Sequence, residues 1–403
     1  MIGVVQQQAN QAGISYPEYR TSIYGTLDDA LAAALLDGPP AEFRVIMDSS
    51  TSGDFAIGGA FNNVVVRFKT EGSYLINSIN FDGSVNGWNS IDLIFENADA
   101  IPGTIVSADS ANHAFNLGEL KLKSIGTAVG TALNAVNVCR SGSGIASTWC
   151  DLVTLDNMLV NHLLAEGVSP NPTGTDGAAG FDANGESGAN GSDGVNPGES
   201  GQTGGDGSAG SVAGNAGHGS DGDDGAGDTS NVTLLNGSTV THLYCRTSSG
   251  LSGWPGGDGG NAFGGGGGNG GNGYNDEGMG DQPSNGGNGG NGGSGGTAGS
   301  GGNGGNGGDA FATAKTVTVG VGCTVSNLYR RSSGGSGGNG GSRGMATGGS
   351  PGGGGLGHSG GSDGGSGSGG ASGTNGEWGV GGAHGADVVT NLINNGTVVT
   401  DDG

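Results

Sequence analysis

Glycine recurs in this chain with a strict period of three, which limits the backbone structures that the chain can adopt. From 287 to 308 every third residue is Gly, the residue before it is Gly except at Ala298, and the remaining position holds Asn, Ser or Thr. A second run keeps glycine at every third position from 361 to 385. A helix with three residues per turn places one position of each triplet on the same side, and glycine there leaves no Cβ between neighbouring backbones. The pattern predicts glycine-rich polyproline-II helices packed together within one chain.

Two other glycine-rich structures fit this pattern less well. Collagen also has three residues per turn, but it needs far more proline than the 10 residues present among these 403. A flexible linker would have no reason to keep one phase over this length.

Composition limits where a hydrophobic core can form. Only 32% of the residues are hydrophobic, against about 45–50% in an average globular protein, so one large core is excluded. The apolar residues concentrate in 22–165, whereas 166–386 is mostly Gly, Asn, Ser, Asp and Ala. A formal net charge of −25 would repel phosphate, so no nucleic-acid partner is expected. No stretch is apolar enough to predict membrane insertion. The four cysteines are expected to be buried thiols, with a Cys139–Cys150 bridge as the alternative.

Short apolar stretches between the glycine runs resemble one another. They are LVTLDNMLVNHLL at 152–164, VTLLNGSTVTHLY at 232–244 and VTVGVGCTVSNLY at 317–329, with a weaker copy at 389–400. β-Branched residues around a central Asn or Gly predict two strands joined at a corner. Because one such unit cannot bury its own apolar face, the copies are expected to stack as rungs. The predicted fold is therefore mainly β, with parallel β-solenoid rungs and an inserted glycine-rich polyproline-II helix bundle.

These patterns divide the chain into three parts. Residues 1–24, polar and rich in Gln, are expected to be an attachment segment. Residues 25–165 are expected to form a β-helix-like domain capped by an amphipathic helix at 26–38. Residues 166–403 are the glycine-rich polyproline-II region, interleaved with β-rungs at 231–245, 316–330 and 388–400.

Two groups of known proteins resemble parts of this sequence. The stretch TLDDALAAALLDG, followed by strand-like runs, resembles the entry to the right-handed β-helix of phage tail fibres and tailspikes. The runs GGNGGNGGSGG and GSDGGSGSGGASG resemble the distal tail-fibre adhesins of T-even-like phages. The second resemblance implies a sandwich of polyproline-II helices whose connecting loops bind a host outer-membrane receptor. Mycobacterial glycine-rich surface proteins of the PGRS type also have GGNGGNGG runs, but their N-terminal domain is not recognisable here.

The resemblance implies a structural protein of the virion surface or the extracellular space. Its expected partners are other virion or fibre subunits and a host cell-surface receptor. β-Helical phage fibres are commonly homotrimers, whereas the glycine-sandwich adhesins resemble single-copy tips, so both states stay open. The alternatives are a purely structural filament or capsid-decoration subunit without receptor binding, and a polysaccharide-degrading tailspike.

Specificity in such a protein would lie where side chains interrupt the glycine pattern. The interruptions at 181–184, 195–197, 274–283, 343–347 and 356–358 are predicted to be tips where the chain reverses. The receptor-contact candidates at these places are Phe181, Asp182, Asn196, Tyr274, Glu277, Met279, Arg343, Met345 and His358.

No catalytic residue, cofactor or metal is expected. The GxSxG matches in the glycine runs do not follow a strand, as a nucleophile elbow must. A calcium-repeat-like sequence at 304–311 has no tandem copy. Asp92 and Glu96 would share one face of a strand, and we interpret that face as solvated rather than as a glycosidase carboxylate pair.

Overall fold

The computed structural model describes residues 117–138, 150–167, 172–274, 282–359 and 361–403, and only the strands before residue 117. These residues contain many strands and no helix. The helix predicted at 26–38 lies outside the described residues, as do Cys139, Glu277 and Met279.

The strands of the first part of the chain are β1 (Ile2–Gln8), β2 (Arg20–Tyr24), β3 (Ala41–Met47), β4 (Gly53–Ile57), β5 (Asn63–Thr70), β6 (Ile76–Phe81), β7 (Trp88–Glu96), β8 (Ile105–Ser107), β9 (Leu117–Ile125), β10 (Thr131–Asn137), β11 (Cys150–Asp156) and β12 (Met158–Leu164). Those of the second part are β13 (Ala183–Asn184), β14 (Asn231–Leu235), β15 (Thr239–Tyr244), β16 (Ala262–Phe263), β17 (Thr316–Val319), β18 (Thr324–Tyr329), β19 (Arg331–Ser332), β20 (Ala346–Thr347), β21 (Val388–Val389), β22 (Asn391–Asn394) and β23 (Thr397–Asp401).

Two large sheets organise these strands. One has ten strands in the order β2-β1-β3-β5-β7-β9-β11-β14-β17-β22, and the other has eight in the order β4-β6-β8-β10-β12-β15-β18-β23. From β3 to β12, consecutive strands alternate between the two sheets. Neighbours are parallel throughout, except that β1 runs antiparallel to both β2 and β3. The chain is therefore mainly β with parallel sheets, as the sequence predicts.

A single hydrophobic cluster joins the two sheets. It is built from columns in which equivalent positions of successive strands are apolar, because parallel in-register pairing brings them together. One column is formed by the fully buried residues Leu93, Leu122, Leu155, Leu234 and Val319. The interval between a strand of one sheet and its successor in the other is short, so both contribute to one core.

Left-handed residues form the corners between paired strands of the two sheets. Asn157 (φ 55°) separates β11 from β12, and Asn236 (φ 51°) and Gly237 (φ 81°) separate β14 from β15. Gly322 (φ 74°) does the same between β17 and β18. Asn and Gly are the residues that tolerate this conformation, so the central Asn or Gly of each repeated stretch has a direct structural cause.

Three long glycine-rich excursions leave the sheets between equivalent strands. The first excursion is 165–230, between β12 and β14; the second is 245–315, between β15 and β17; the third is 330–390, between β18 and β22. Each consists of an outgoing segment and a returning segment that run antiparallel and are hydrogen-bonded to each other.

The six segments form two layers, which together we call the glycine slab. The three outgoing segments are hydrogen-bonded side by side, as from Gly177 N–H to Pro255 O (2.9 Å) and from Gly256 N–H to Asn339 O (2.9 Å). The three returning segments form the second layer in the same way. Bonds such as Gly290 N–H to Gly268 O (2.7 Å) join the layers. The slab is therefore held by backbone contacts between segments far apart in sequence.

Candidate functional site

The Gly-Gly-Asn triplet at 289–291 pairs its three backbone donors in three directions. In 289–291, the first glycine N–H donates to Gly365 O of the next returning segment (2.8 Å). The second donates to Gly268 O of the outgoing layer (2.7 Å). The N–H of Asn291 donates to Oδ1 of Asp206 in the preceding returning segment (2.7 Å). A repeat of three residues thus matches three sets of neighbours, which leaves no backbone N–H of this triplet unpaired.

The Asn side chain extends the hydrogen-bond network to the next excursion. Oδ1 of Asn291 accepts the N–H of Ser368 at 2.9 Å. Side chains at third positions therefore form relays, in which an Asp or Asn oxygen of one excursion accepts a backbone N–H of the next. The same relay occurs at Asn303, Asn306 and Asp309. The sequence pattern shows Asn and Ser at this position but does not by itself indicate this role.

A sequence signal for the relay exists. Third positions of the second returning segment are rich in Asn, whereas those of the third, such as Ala371, Val380, Ala383 and Ala386, mostly have no side-chain acceptor. Among the described residues, no further segment lies beyond the third excursion to donate to them. The loss of Asn therefore marks the last segment of the layer.

Close backbone approach explains the two glycines of each triplet. A Cβ added to Gly289 would lie 2.1 Å from Gly352 O, and one added to Gly290 would lie 2.0 Å from Gly205 O. No side chain fits at such distances without moving the neighbouring backbone. Both glycine positions of the triplet are thus fixed by packing.

The described residues of the predicted tips at 195–197, 274–283 and 356–358 lie together at one end of the slab. Tyr274 N–H donates to Glu199 O (3.0 Å), and Ser284 N–H donates to His358 O (3.0 Å). Asn196, Tyr274 and His358 therefore lie at this end of the slab, one on each excursion. Glu277 and Met279 belong to 275–281, outside the described residues.

The first reversal is closed by a carboxylate. Oε2 of Glu199 accepts the N–H groups of Val195 and Asn196 and the side-chain amide of Asn196, at 3.0, 3.0 and 2.9 Å. These bonds, with that from Val195 the largest contribution, hold the pKa of the Glu199 carboxyl below its usual value. Asn196 is therefore occupied in shaping the turn.

Four candidates do not lie at a tip, and here the sequence prediction is wrong. Phe181, Asp182, Arg343 and Met345 lie midway along outgoing segments, beside β13 and β20. β13, β16 and β20 pair in parallel as a small sheet across the slab. The break in phase is real, but the chain continues in the same direction instead of reversing.

Alanines give the physical reason for that break. In each outgoing segment the interval after the alanine of the small sheet is two residues instead of three, as from Ala183 to Gly185. The small side chains fill the space between the layers at this level. This buried cluster, which we call the alanine belt, consists of Ala183, Ala213, Ala262, Ala298 and Ala346.

Large apolar side chains next to the belt are exposed to solvent. Phe181 is 70% exposed, Phe263 40% and Met345 63%. Asp182 is not free, because its Oδ1 accepts the N–H of Asn261 at 2.6 Å. Arg343 lies with its guanidinium carbon 5.7 Å from the ring centroid of Trp378. These exposed side chains therefore form a second group, midway along the slab and separate from the tips.

The described residues show little that resembles a catalytic centre. Cys150, Cys245 and Cys323 are free and buried, and burial raises the pKa of Cys150 and Cys245 to about 12, so neither is a ready nucleophile. Asp92 lies opposite Lys121 on β9, and burial raises the pKa of its carboxyl. Within the described ranges, no group of three or more His, Cys, Asp or Glu side chains is arranged to bind a metal ion.

Comparison with known proteins found no matching family model, no matching curated protein and no matching solved structure. In the part of the chain that the structure describes, no helix is long and apolar enough to cross a membrane.

Proposed function

We propose that this chain is a structural fibre or spike protein of a virion, which displays a rigid glycine-rich slab and its tip loops for attachment to a host surface. On this proposal the two large sheets are a parallel β-solenoid, and the slab is a bundle of polyproline-II helices inserted into successive rungs. Its partners are other virion or fibre subunits and a host cell-surface receptor, and it acts outside the cell without catalysis.

The observation that carries the proposal is the dense backbone hydrogen-bond network of the slab. Ordering one residue costs roughly 1–2 kcal/mol of conformational entropy, and glycine loses the most. A glycine region held in register by hydrogen bonds in three directions offsets that cost and resists bending. Such rigidity suits the display of loops at a distance, whereas a tether would need none of it.

The dimensions of the slab support display. An outgoing segment such as 172–194 would span about 70 Å at the polyproline-II rise of about 3.1 Å per residue. All three excursions reverse at the same end, so three loops are presented side by side. Loops held by a rigid scaffold are where binding specificity commonly lies.

The alternation of strands between two sheets supports the solenoid. From β3 onward each rung would contribute one strand to each sheet, with left-handed corners between them. Stacked repeats that contact only their neighbours form extended rods without a large globular core. This matches a chain whose apolar content is too low for such a core.

The test is replacement of 275–281, which connects the outgoing and returning segments of the second excursion, by Asn-Gly. The labelled full-length protein would be incubated with a panel of bacterial cells and bound protein measured by cell sedimentation. Wild type is expected to bind some strains, and the loop variant to lose that binding without a change in unfolding temperature. Val129→Ala, at an exposed site between β9 and β10, is the matched control.

Two results would overturn the proposal. Equal binding by the loop variant and the wild type would remove the tips from attachment. Absence of binding to every strain, together with incorporation of both proteins into particles or filaments, would favour a purely structural subunit.

A further inference from the structure

We propose that a cleft at the alanine belt of the third excursion binds one acidic sugar residue of a surface polysaccharide. The proposal rests on the attachment function above and adds a contact at the belt to those at the tips. The cleft has a volume of about 300 Å³. The side chains that the proposal uses are Asn261, Phe263, Met345, Thr347, Ser372 and Asn375.

The cleft exists because the two segments of the third excursion separate at the belt. Gly382 and Gly379 donate to the outgoing segment at 2.8 and 2.9 Å, and the corresponding bond from Gly376 N–H to Gly344 O is 3.2 Å. At Gly340 a Cβ would lie 2.1 Å from the returning backbone, yet the next equivalent position is Arg343. A large side chain replaces glycine only where the segments have moved apart.

Arg343 is the one Lys or Arg side chain without an ion pair among the described residues of 172–403. Among the described residues of 172–403, each of the other four Lys and Arg side chains forms an ion pair with a carboxylate: Arg246, Lys315, Arg330 and Arg331. Arg343 lies over Trp378 and forms no ion pair, even with Glu377, the neighbour of Trp378 in sequence. Arg343 precedes the lining residue Met345 by two positions and is not itself part of the lining. In a chain of net charge −25, an unpaired arginine so close to the cleft in sequence points to an anionic ligand.

The other lining residues offer both apolar surface and hydrogen-bonding groups, which suit the C–H and O–H groups of a sugar ring. Phe263 and Met345 offer apolar contact to ring C–H groups. Oδ1 of Asn261 accepts the N–H of Met345 and Oδ1 of Asn375 accepts the N–H of Ala346, both at 2.9 Å, so the side-chain N–H groups of each amide can serve as donors to a ligand. The hydroxyl of Thr347 is a further hydrogen-bonding group.

These features favour an acidic sugar over an acidic peptide. A carboxylate side chain of a peptide would satisfy Arg343 but would leave the apolar side chains and the amide donors unused. A neutral sugar would use the lining but not the cation. A pocket near 300 Å³ is at the small end of the range for ligands, which suits a single ring.

The experiment titrates the full-length protein with D-glucuronate, using D-glucose as the neutral control of the same ring, and measures binding by ligand-observed NMR. Glucuronate is expected to bind with a dissociation constant in the millimolar range and glucose more weakly. Arg343→Gln should weaken glucuronate binding about tenfold, as expected for the loss of a charged hydrogen bond. Glu377→Gln should strengthen it, because a nearby like charge is removed.

Controls separate the site from the fold. Val212→Ala changes an exposed apolar residue of the first excursion near the same level and should leave glucuronate binding unchanged. Unfolding temperatures of all variants are measured in parallel. Since Glu377→Gln predicts a gain, loss of folding cannot imitate the full set of results.

Several outcomes would overturn the proposal. They are equal binding of glucose and glucuronate, no effect of Arg343→Gln, no glucuronate binding up to about 50 mM, or displacement of glucuronate by an oligoglutamate peptide at lower concentration. If instead the protein binds cells and loses that binding only when 275–281 is replaced, the belt proposal fails while the attachment function stands.

Discussion

The stacked sheets and the glycine slab are stabilised in opposite ways. In the sheets, columns of fully buried side chains such as Leu122 and Leu155 exclude water, and strand pairing satisfies the backbone as a consequence. In the slab the buried hydrophobic cluster consists of alanines alone, and the backbone forms most of the interior. Side-chain volume stabilises the first region, and its absence stabilises the second.

The contrast between the two regions shows how a chain with few apolar residues can still be ordered. The sheets gain from the apolar area they bury, at about 25 cal/mol per Å². The slab gains from the density of hydrogen bonds and from close backbone contact, each contact small but repeated at every residue. Opposite substitutions should therefore damage the two regions.

Truncation of a core side chain is expected to have the largest effect. Leu243→Ala empties a fully buried position on β15 and should lower the free energy of unfolding by about 2–5 kcal/mol. Denaturant titration measures this, with Thr241→Ala on the same strand as the control. A loss below about 1 kcal/mol would mean that the sheets do not depend on side-chain packing.

Enlargement of a slab glycine should come next. Gly364→Ala places a Cβ 1.9 Å from Gly287 O and should lower the free energy of unfolding by about 1–3 kcal/mol. Its sequence neighbour is a close control, because the nearest atom to a Cβ on Gly365 is Oδ1 of Asn288 at 3.6 Å. Gly365→Ala is expected to change stability by less than about 0.5 kcal/mol. Similar losses in the two variants would contradict the packing assigned to the slab.

Removal of a relay side chain should have a smaller, local effect. Asn303→Ala deletes the Oδ1 that accepts Val380 N–H at 2.9 Å, with an expected cost of about 1 kcal/mol or less at this exposed site. Amide exchange at Val380 should become about fivefold faster, while exchange in β15 stays unchanged. Asn303→Asp retains the acceptor and should preserve protection. Unchanged exchange in the Ala variant would exclude a stabilising role for the relay.

The smallest effect is expected from acid at the end of the sheets. The hydrogen bond from Arg330 lowers the pKa of Asp401, so the folded state favours the ionised carboxyl. Stability from this pair is therefore present above the ordinary Asp value of about 3.9 and is lost as pH falls through the lower folded value. Unfolding temperatures of wild type and Asp401→Asn should differ slightly at pH 6 and converge near pH 2.5. A difference that persists at low pH would show that the ion pair is not its cause.

Much of the architecture could be predicted from particular residues. The repeated V-T stretches with a central Asn or Gly predict paired strands and corners, and Asn236, Gly237 and Gly322 occupy those corners. The period of three predicts which glycines face another backbone. Both patterns are local, because each follows from the geometry of one strand or one triplet.

The arrangement of the slab could not be predicted in the same way. Identical triplets fit a neighbour in many registers, so periodicity alone does not say which segments pair. The alanine belt sets the register, yet Ala183 and Ala262 are distinguished from other small residues only once the layers are known. For the same reason Phe181 and Met345 were predicted at tips, although a break in phase can be accommodated without a reversal.

Hydrogen bonds between segments are proposed to hold the glycine slab rigid. Native-state hydrogen exchange of the amides of 286–308 measures this directly. The amides of this segment are predicted to be protected to a degree comparable with β14 and β15, and the glycine N–H groups that donate to the other layer should be among the slowest. Exchange of the whole segment at the rate of an unstructured peptide, with the strands still protected, would contradict the account.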